Sequence, residues 1–148
     1  EYALYHKNKT NKIIHWICIP LIMFSLFGLL SLIRPFTFMV NDGTYKITIL
    51  GVFIILTIIY YLKLSKSLAV GMVLVSVLFL TIIDIISLFD RNKLLLIYLS
   101  IFIVAWIGQF LGHKIEGKKP AFFKDLQFLL IGPLWLLSFI YNKLDIKI

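Results

Sequence analysis

Five nearly unbroken apolar stretches alternate with short polar breaks along the chain: Ile13–Ile33, Ile47–Leu62, Leu68–Phe89, Leu94–Leu111 and Leu126–Tyr141. A straight helical crossing of a bilayer takes about 20 apolar residues, with a workable range of about 17–25. The first and third stretches meet that length, and the fourth nearly does. The second and fifth are short, so they rely on interfacial Tyr45, Tyr60, Tyr61 and Tyr141 and on snorkelling lysines. Gly132-Pro133 lies inside the fifth stretch. A proline there removes a helical hydrogen bond, which predicts either a kinked helix or a re-entrant hairpin. The pattern as a whole predicts an all-α protein. It is a polytopic transmembrane bundle of about five apolar helices, forming a single integral-membrane domain over residues 1–148.

The breaks carry their own signals. Arg34-Pro35 ends the first stretch, Asn41-Asp42-Gly43 marks a turn, and Asp90-Arg91-Asn92-Lys93 makes a tight polar connection. Composition agrees with the pattern. The 148 residues are 61% hydrophobic and 15% charged, against roughly half and about a quarter in an average soluble domain. So short a soluble chain has too little interior to hide that apolar surface, whereas lipid covers it. The first stretch is long enough to remain as a span, so no separate cleaved leader is expected. Cys18 is the only cysteine, which rules out an intrachain disulfide, and its apolar setting predicts a small buried hydrophobe.

The net charge of +8 does not point to nucleic acid, which needs basic residues gathered on one face. Here they sit in short clusters beside the apolar stretches, where they meet anionic headgroups, so the expected partner is the lipid bilayer. With the N-terminus inside, the cytoplasmic breaks hold Lys7, Lys9, Lys12, Lys63, Lys66, Lys114, Lys118, Lys119 and Lys124. The opposite side holds Arg34, Lys46, Arg91, Lys93, Lys143 and Lys147. Nine against six favours a cytoplasmic N-terminus. Four crossings also bring the N-terminal segment and the Lys114–Lys124 loop to one membrane face, whichever side that is.

All three histidines fall in those two segments. His6 and His15 converge only if the chain turns between them; Asn8, Thr10 and Asn11 supply that turn, with Asn11 as the expected N-cap of the first span. In the second segment Gln109, His113 and Glu116 share one helical face. Gly108 and Gly112 let another helix approach beside that face. His6, His15 and His113 with Glu116 would satisfy a non-haem iron or a zinc site. The bland alternative is a set of interfacial polar residues, with Glu116 paired to Lys114 or Lys119. Asp84, an ionisable residue in the third stretch, is either functional or close enough to the end to reach the interface. The thirteen phenylalanines read as lipid-facing or packing residues.

One combination goes further. Tyr5-His6, Asn8, Asn11, His15 and Pro20, with Gln109-Phe110, Gly112-His113, Glu116 and Pro120-Ala121, resemble the pattern of the Mpo1-like family of membrane 2-hydroxy fatty acid dioxygenases. The resemblance covers nearly the whole chain, although the middle matches only in hydrophobicity. It implies an Fe(II)-dependent α-oxidation without 2-oxoglutarate. Molecular oxygen, the cosubstrate, would convert a 2-hydroxy fatty acid to the acid one carbon shorter plus carbon dioxide. It implies His6, His15, His113 and Glu116 as the catalytic and metal-binding residues. Gln109, Asn8 and Asn11 would orient ligands or substrate, and Lys114, Lys118 or Lys119 would attract the carboxylate. The expected location is a bacterial cytoplasmic membrane, or the endoplasmic reticulum in a eukaryote.

Rival readings are a non-enzymatic lipid-binding or scaffold protein and a membrane zinc hydrolase. A transporter would carry more polar groups at mid-membrane. A multi-histidine di-iron desaturase needs many more histidines than three.

Overall fold

The computed structural model describes residues 8–40, 43–117 and 122–147, with side chains at all of these except 39, 40 and 122–129. Among the described residues are five helices: α1 (Lys9–Ser31), α2 (Ile49–Leu64), α3 (Lys66–Ile86), α4 (Arg91–Glu116) and α5 (Phe122–Lys143). Three of them, α1, α3 and α4, are long and apolar enough to cross a bilayer, and α2 is a shorter apolar helix. The protein is the expected all-α bundle, with one small addition. Strands β1 (Phe36–Val40) and β2 (Gly43–Ile47) pair antiparallel between α1 and α2, Phe36 opposite Ile47 and Val40 opposite Gly43. The Asn41-Asp42 part of the predicted turn lies outside the described residues.

Local chemistry sets the helix ends. Ser65 closes α2 and opens α3, its backbone N–H donating to Tyr61 O and its hydroxyl accepting from Leu68 N. Asp90 caps α4 by accepting from Asn92 N at 2.9 Å and Lys93 N at 3.2 Å. Gly117 ends α4 in the left-handed conformation at φ 72°, where a side chain would be strained. The fifth apolar stretch is one continuous helix through Pro133, so the re-entrant hairpin is not the form adopted. Proline costs a helix one backbone bond and adds a clash, and packing on neighbouring helices absorbs that locally. Tyr61 OH donates to Leu130 O and Tyr141 OH donates to Ser67 O, tying α5 to α2 and α3.

Burial departs from that of a water-soluble protein, with polar side chains buried beside the apolar core and many large apolar ones exposed. Asn11, His15, Ser25, Thr57, Ser76, Gln109 and His113 are buried, while Leu56, Leu74, Ile85, Leu96 and Val104 are exposed. Lipid covers apolar side chains without cost, so the polar groups turn inward where partners exist. Tyr61 departs from its expected interfacial place: it is fully buried in the main cluster, with its hydroxyl satisfied by Leu130. Phe24, Phe27, Phe53 and Phe79 pack edge-on to one another, as packing residues should. Asp84 is exposed near the end of α3, consistent with reaching the interface.

The most extensive pairing is between α1 and α4, which run antiparallel. Glycines make it close. A Cβ on Gly28 would sit 2.4 Å from the Tyr98 ring, one on Gly108 would sit 2.6 Å from Cys18 Sγ, and one on Gly112 would sit 2.5 Å from Asn11 Oδ1. These small residues let the two backbones approach and bring the polar turns of both helices together.

Candidate active site

The first turn of α1 is organised by Asn8 and not, as expected, by Asn11. Asn8 has extended backbone angles, and its side chain accepts from Thr10 N at 2.8 Å and Asn11 N at 3.4 Å. The helix therefore starts three residues earlier than a cap at Asn11 would place it. Asn11 is then an interior helical residue, and the approach to Gly112 buries it completely.

Burying an amide without partners would be costly, and Asn11 has several. Its Nδ2 donates to Glu116 Oε2 at 2.9 Å, and the same oxygen accepts from the Asn8 backbone N–H at 3.0 Å. The carboxylate of α4 thus takes up one orphan donor at the head of α1, a place where negative charge is favoured. Neither the pairing with lysine nor any sequence spacing anticipates this bond.

One turn further on, His15 is 1% exposed, and its Nδ1 lies 2.9 Å from Asn11 O. A carbonyl only accepts, so Nδ1 carries the proton and Nε2 is the acceptor nitrogen of the neutral ring. This is the arrangement by which a protein fixes the tautomer and direction of a metal-binding histidine. His113, also buried, packs edge-on against it with ring centroids 4.9 Å apart and an interplanar angle of 77°. Gln109, one turn before His113 on the same face, is buried too. The expectation that Gln109, His113 and Glu116 turn one face to a neighbour is met, and that neighbour is α1.

The structure brings together Asn8, Asn11, His15, Gln109, His113 and Glu116. Lys114, in the last turn of α4, is exposed beside them. His6, Lys118 and Lys119 lie outside the described residues. Among the described residues no three His, Cys, Asp or Glu side chains are grouped closely enough to hold a metal ion. The described donor set is two imidazoles from different helices, one with its tautomer fixed. That chemistry fits non-haem iron and leaves further positions to other ligands.

Depth matters as well. His15 lies six residues inside the start of α1, about 9 Å along its axis, and His113 three residues before the end of α4, about 5 Å. At 26 residues, α4 extends about 39 Å, longer than the roughly 30 Å hydrocarbon layer. The histidine pair therefore sits near one end of the bundle.

Comparison with known proteins identifies the family of the chain. Residues 1–144 match the family described as 2-hydroxy-palmitic acid dioxygenase Mpo1-like. The chain is 31% identical over 141 residues to the 2-hydroxy-palmitic acid dioxygenase MPO1 of Saccharomyces cerevisiae, covering 92% of this chain and 73% of the yeast protein. No solved structure matches it. With a family match along nearly its whole length and a relative 31% identical over most of both chains, the chain belongs to the Mpo1-like family.

Proposed function

We propose that this protein is a membrane dioxygenase that shortens 2-hydroxy fatty acids by one carbon using Fe(II) and molecular oxygen. The observation that carries the reading is the facing of His15 and His113, with the His15 ring fixed by Asn11 O. In the overall reaction the C1–C2 bond breaks and C2 becomes the new carboxyl carbon. The acid and O2 yield the shortened acid, carbon dioxide and water, so oxygen is the only oxidant required. Bound Fe(II) supplies the one-electron chemistry that lets triplet oxygen react with a closed-shell acid.

The residues of the chain do the rest. His15 and His113, which face each other, would hold the iron, and His6 is the third histidine that the sequence pattern nominates. Asn11 holds the His15 ring through its carbonyl, and Glu116 holds Asn11. Glu116 is therefore assigned to positioning, because two nitrogen donors already converge on one of its oxygens. Gln109, buried one turn before His113 on α4, is a candidate to orient substrate. Lys114, with Lys118 and Lys119 after it, draws the carboxylate to this end of the bundle by charge. A 2-hydroxy acid offers two oxygens on adjacent carbons, so holding it by both fixes C1 and C2 relative to the histidines. The location proposed is a membrane, with the N-terminus and the Lys114–Lys124 loop on its cytoplasmic side.

The test is direct. Protein purified with Fe(II) is given a 2-hydroxy fatty acid and oxygen, and the acid one carbon shorter is sought by mass spectrometry. His15→Ala and His113→Ala are expected to abolish it. Undiminished product from both variants would overturn the proposal.

A further inference from the structure

A groove bounded by α1, α3 and α5 has no part in the chemistry described so far. It encloses about 240 Å³, and its lining is apolar throughout. We infer that it receives the acyl tail of the 2-hydroxy acid, an assignment that rests on the dioxygenase reading above.

Position is the first argument. Ile19 lines the groove and stands one turn beyond His15, about 6 Å along the same side of α1. Met23, another turn on, lines it as well. On α1 the groove thus begins at Trp16 and Ile19, within one turn of His15, and leads away from the polar end of the bundle. A tail whose carboxyl end is held at His15 and His113 must run that way to stay in hydrocarbon.

Shape is the second. Met72 and Met23 form a buried floor, and Met side chains adapt their shape to a flexible chain. Phe79 is locked at the far part of the lining by edge contacts to Phe24 and Phe27, with centroids 5.5 Å and 6.0 Å away. Leu78 and Ile140 form a rim that is 56% and 41% exposed, on the side that lipid covers. The volume is below the about 300–1,000 Å³ usual for a closed small-molecule site. The tail is therefore gripped on one side and open to the bilayer on the other, which lets substrate enter sideways without passing through water.

Photo-crosslinking tests this with the full chain in phosphatidylcholine nanodiscs. The probe is a 2-hydroxy fatty acid with a mid-chain diazirine, and product formation is followed in parallel. Labelling is expected on peptides holding Met23 and Met72, and excess unlabelled 2-hydroxy acid should suppress it. Met72→Trp, which fills the floor, should cut labelling about tenfold, as 1.4 kcal/mol of lost binding would. Met72→Leu, of similar volume, should keep it. Leu136→Trp fills the same space from α5 and is expected to repeat the loss should Met72→Trp fail to fold. Labels on lipid-facing Leu74 and Val104 that excess acid does not suppress would overturn the groove and leave bulk lipid as its occupant. Groove labelling without product would retain the groove and sink the dioxygenase reading. Product without groove labelling would sink the groove alone.

Discussion

Asn11 Nδ2 donates to Glu116 Oε2 at 2.9 Å, joining the first turn of α1 to the last turn of α4 across 105 residues of sequence. The bond is part of a relay: Glu116 holds Asn11, and the carbonyl of Asn11 holds the ring of His15. Asn11→Ala and Glu116→Ala are each expected to destabilise the protein by about 1.5–3 kcal/mol, the range for hydrogen bonds to charged groups. In a double-mutant cycle read by unfolding in detergent, the two losses should not add. Additivity to within about 0.5 kcal/mol would show that the two side chains act independently.

The relay also predicts a graded effect on metal binding. His15→Ala and His113→Ala should remove iron from the purified protein, while Glu116→Gln should weaken its binding by about 10–100-fold, as loss of outer-sphere support does elsewhere. Elemental analysis after dialysis against a graded chelator measures both. Unchanged iron in His15→Ala would remove this residue from the site.

Two glycines near the site should respond differently to alanine. At Gly112 the new Cβ meets Asn11 Oδ1 at 2.5 Å and the His15 ring at 3.1 Å, so helix and ring must both shift. Gly112→Ala should cost about 1–3 kcal/mol by overpacking and take activity with it. At Gly117 nothing stands within 4 Å, and only the positive φ resists. Gly117→Ala should cost about 1–2 kcal/mol of backbone strain and leave turnover intact. Equal activity losses in the two variants would mean that the α1–α4 approach is not what the site depends on.

Much of this was legible in the pattern of apolar residues. The stretch Leu94–Leu111 with Gly108, Gly112 and the Gln109–His113–Glu116 face reads as a helix prepared for a close neighbour, and α4 is that helix. The hairpin of Phe36–Val40 with Gly43–Ile47 was not legible beyond its turn, because its apolar residues sit beside longer runs that dominate the same signal. The cap was misread for a simple reason. Lys9, Thr10 and Asn11 are polar and look like loop, yet Asn8 can satisfy Thr10 N and Asn11 N and so start the helix ahead of its apolar part. The partner of Glu116 could not be read at all, since it depends on the register between two helices far apart in the chain. Tyr61 was misplaced because a tyrosine at the end of an apolar run looks interfacial until a carbonyl such as that of Leu130 is brought to it.

The two tyrosine bonds to α5 give a prediction about the fold itself. Tyr61→Phe and Tyr141→Phe each remove one hydrogen bond to a backbone carbonyl, worth about 1 kcal/mol. Hydrogen exchange should then quicken in α5 and leave α1 and α4 as they were. Uniform quickening across all helices would contradict this division.

The pairing of the first helix with the fourth also governs when the histidine pair can form. Ribosomes add residues at about 5–20 per second, so α1 is made about 5–20 s before the end of α4 emerges to meet it. During that interval Asn11, His15 and Ser25 lie on a helix whose eventual neighbour has not yet been synthesised. The histidine pair exists only once both α1 and α4 have been made.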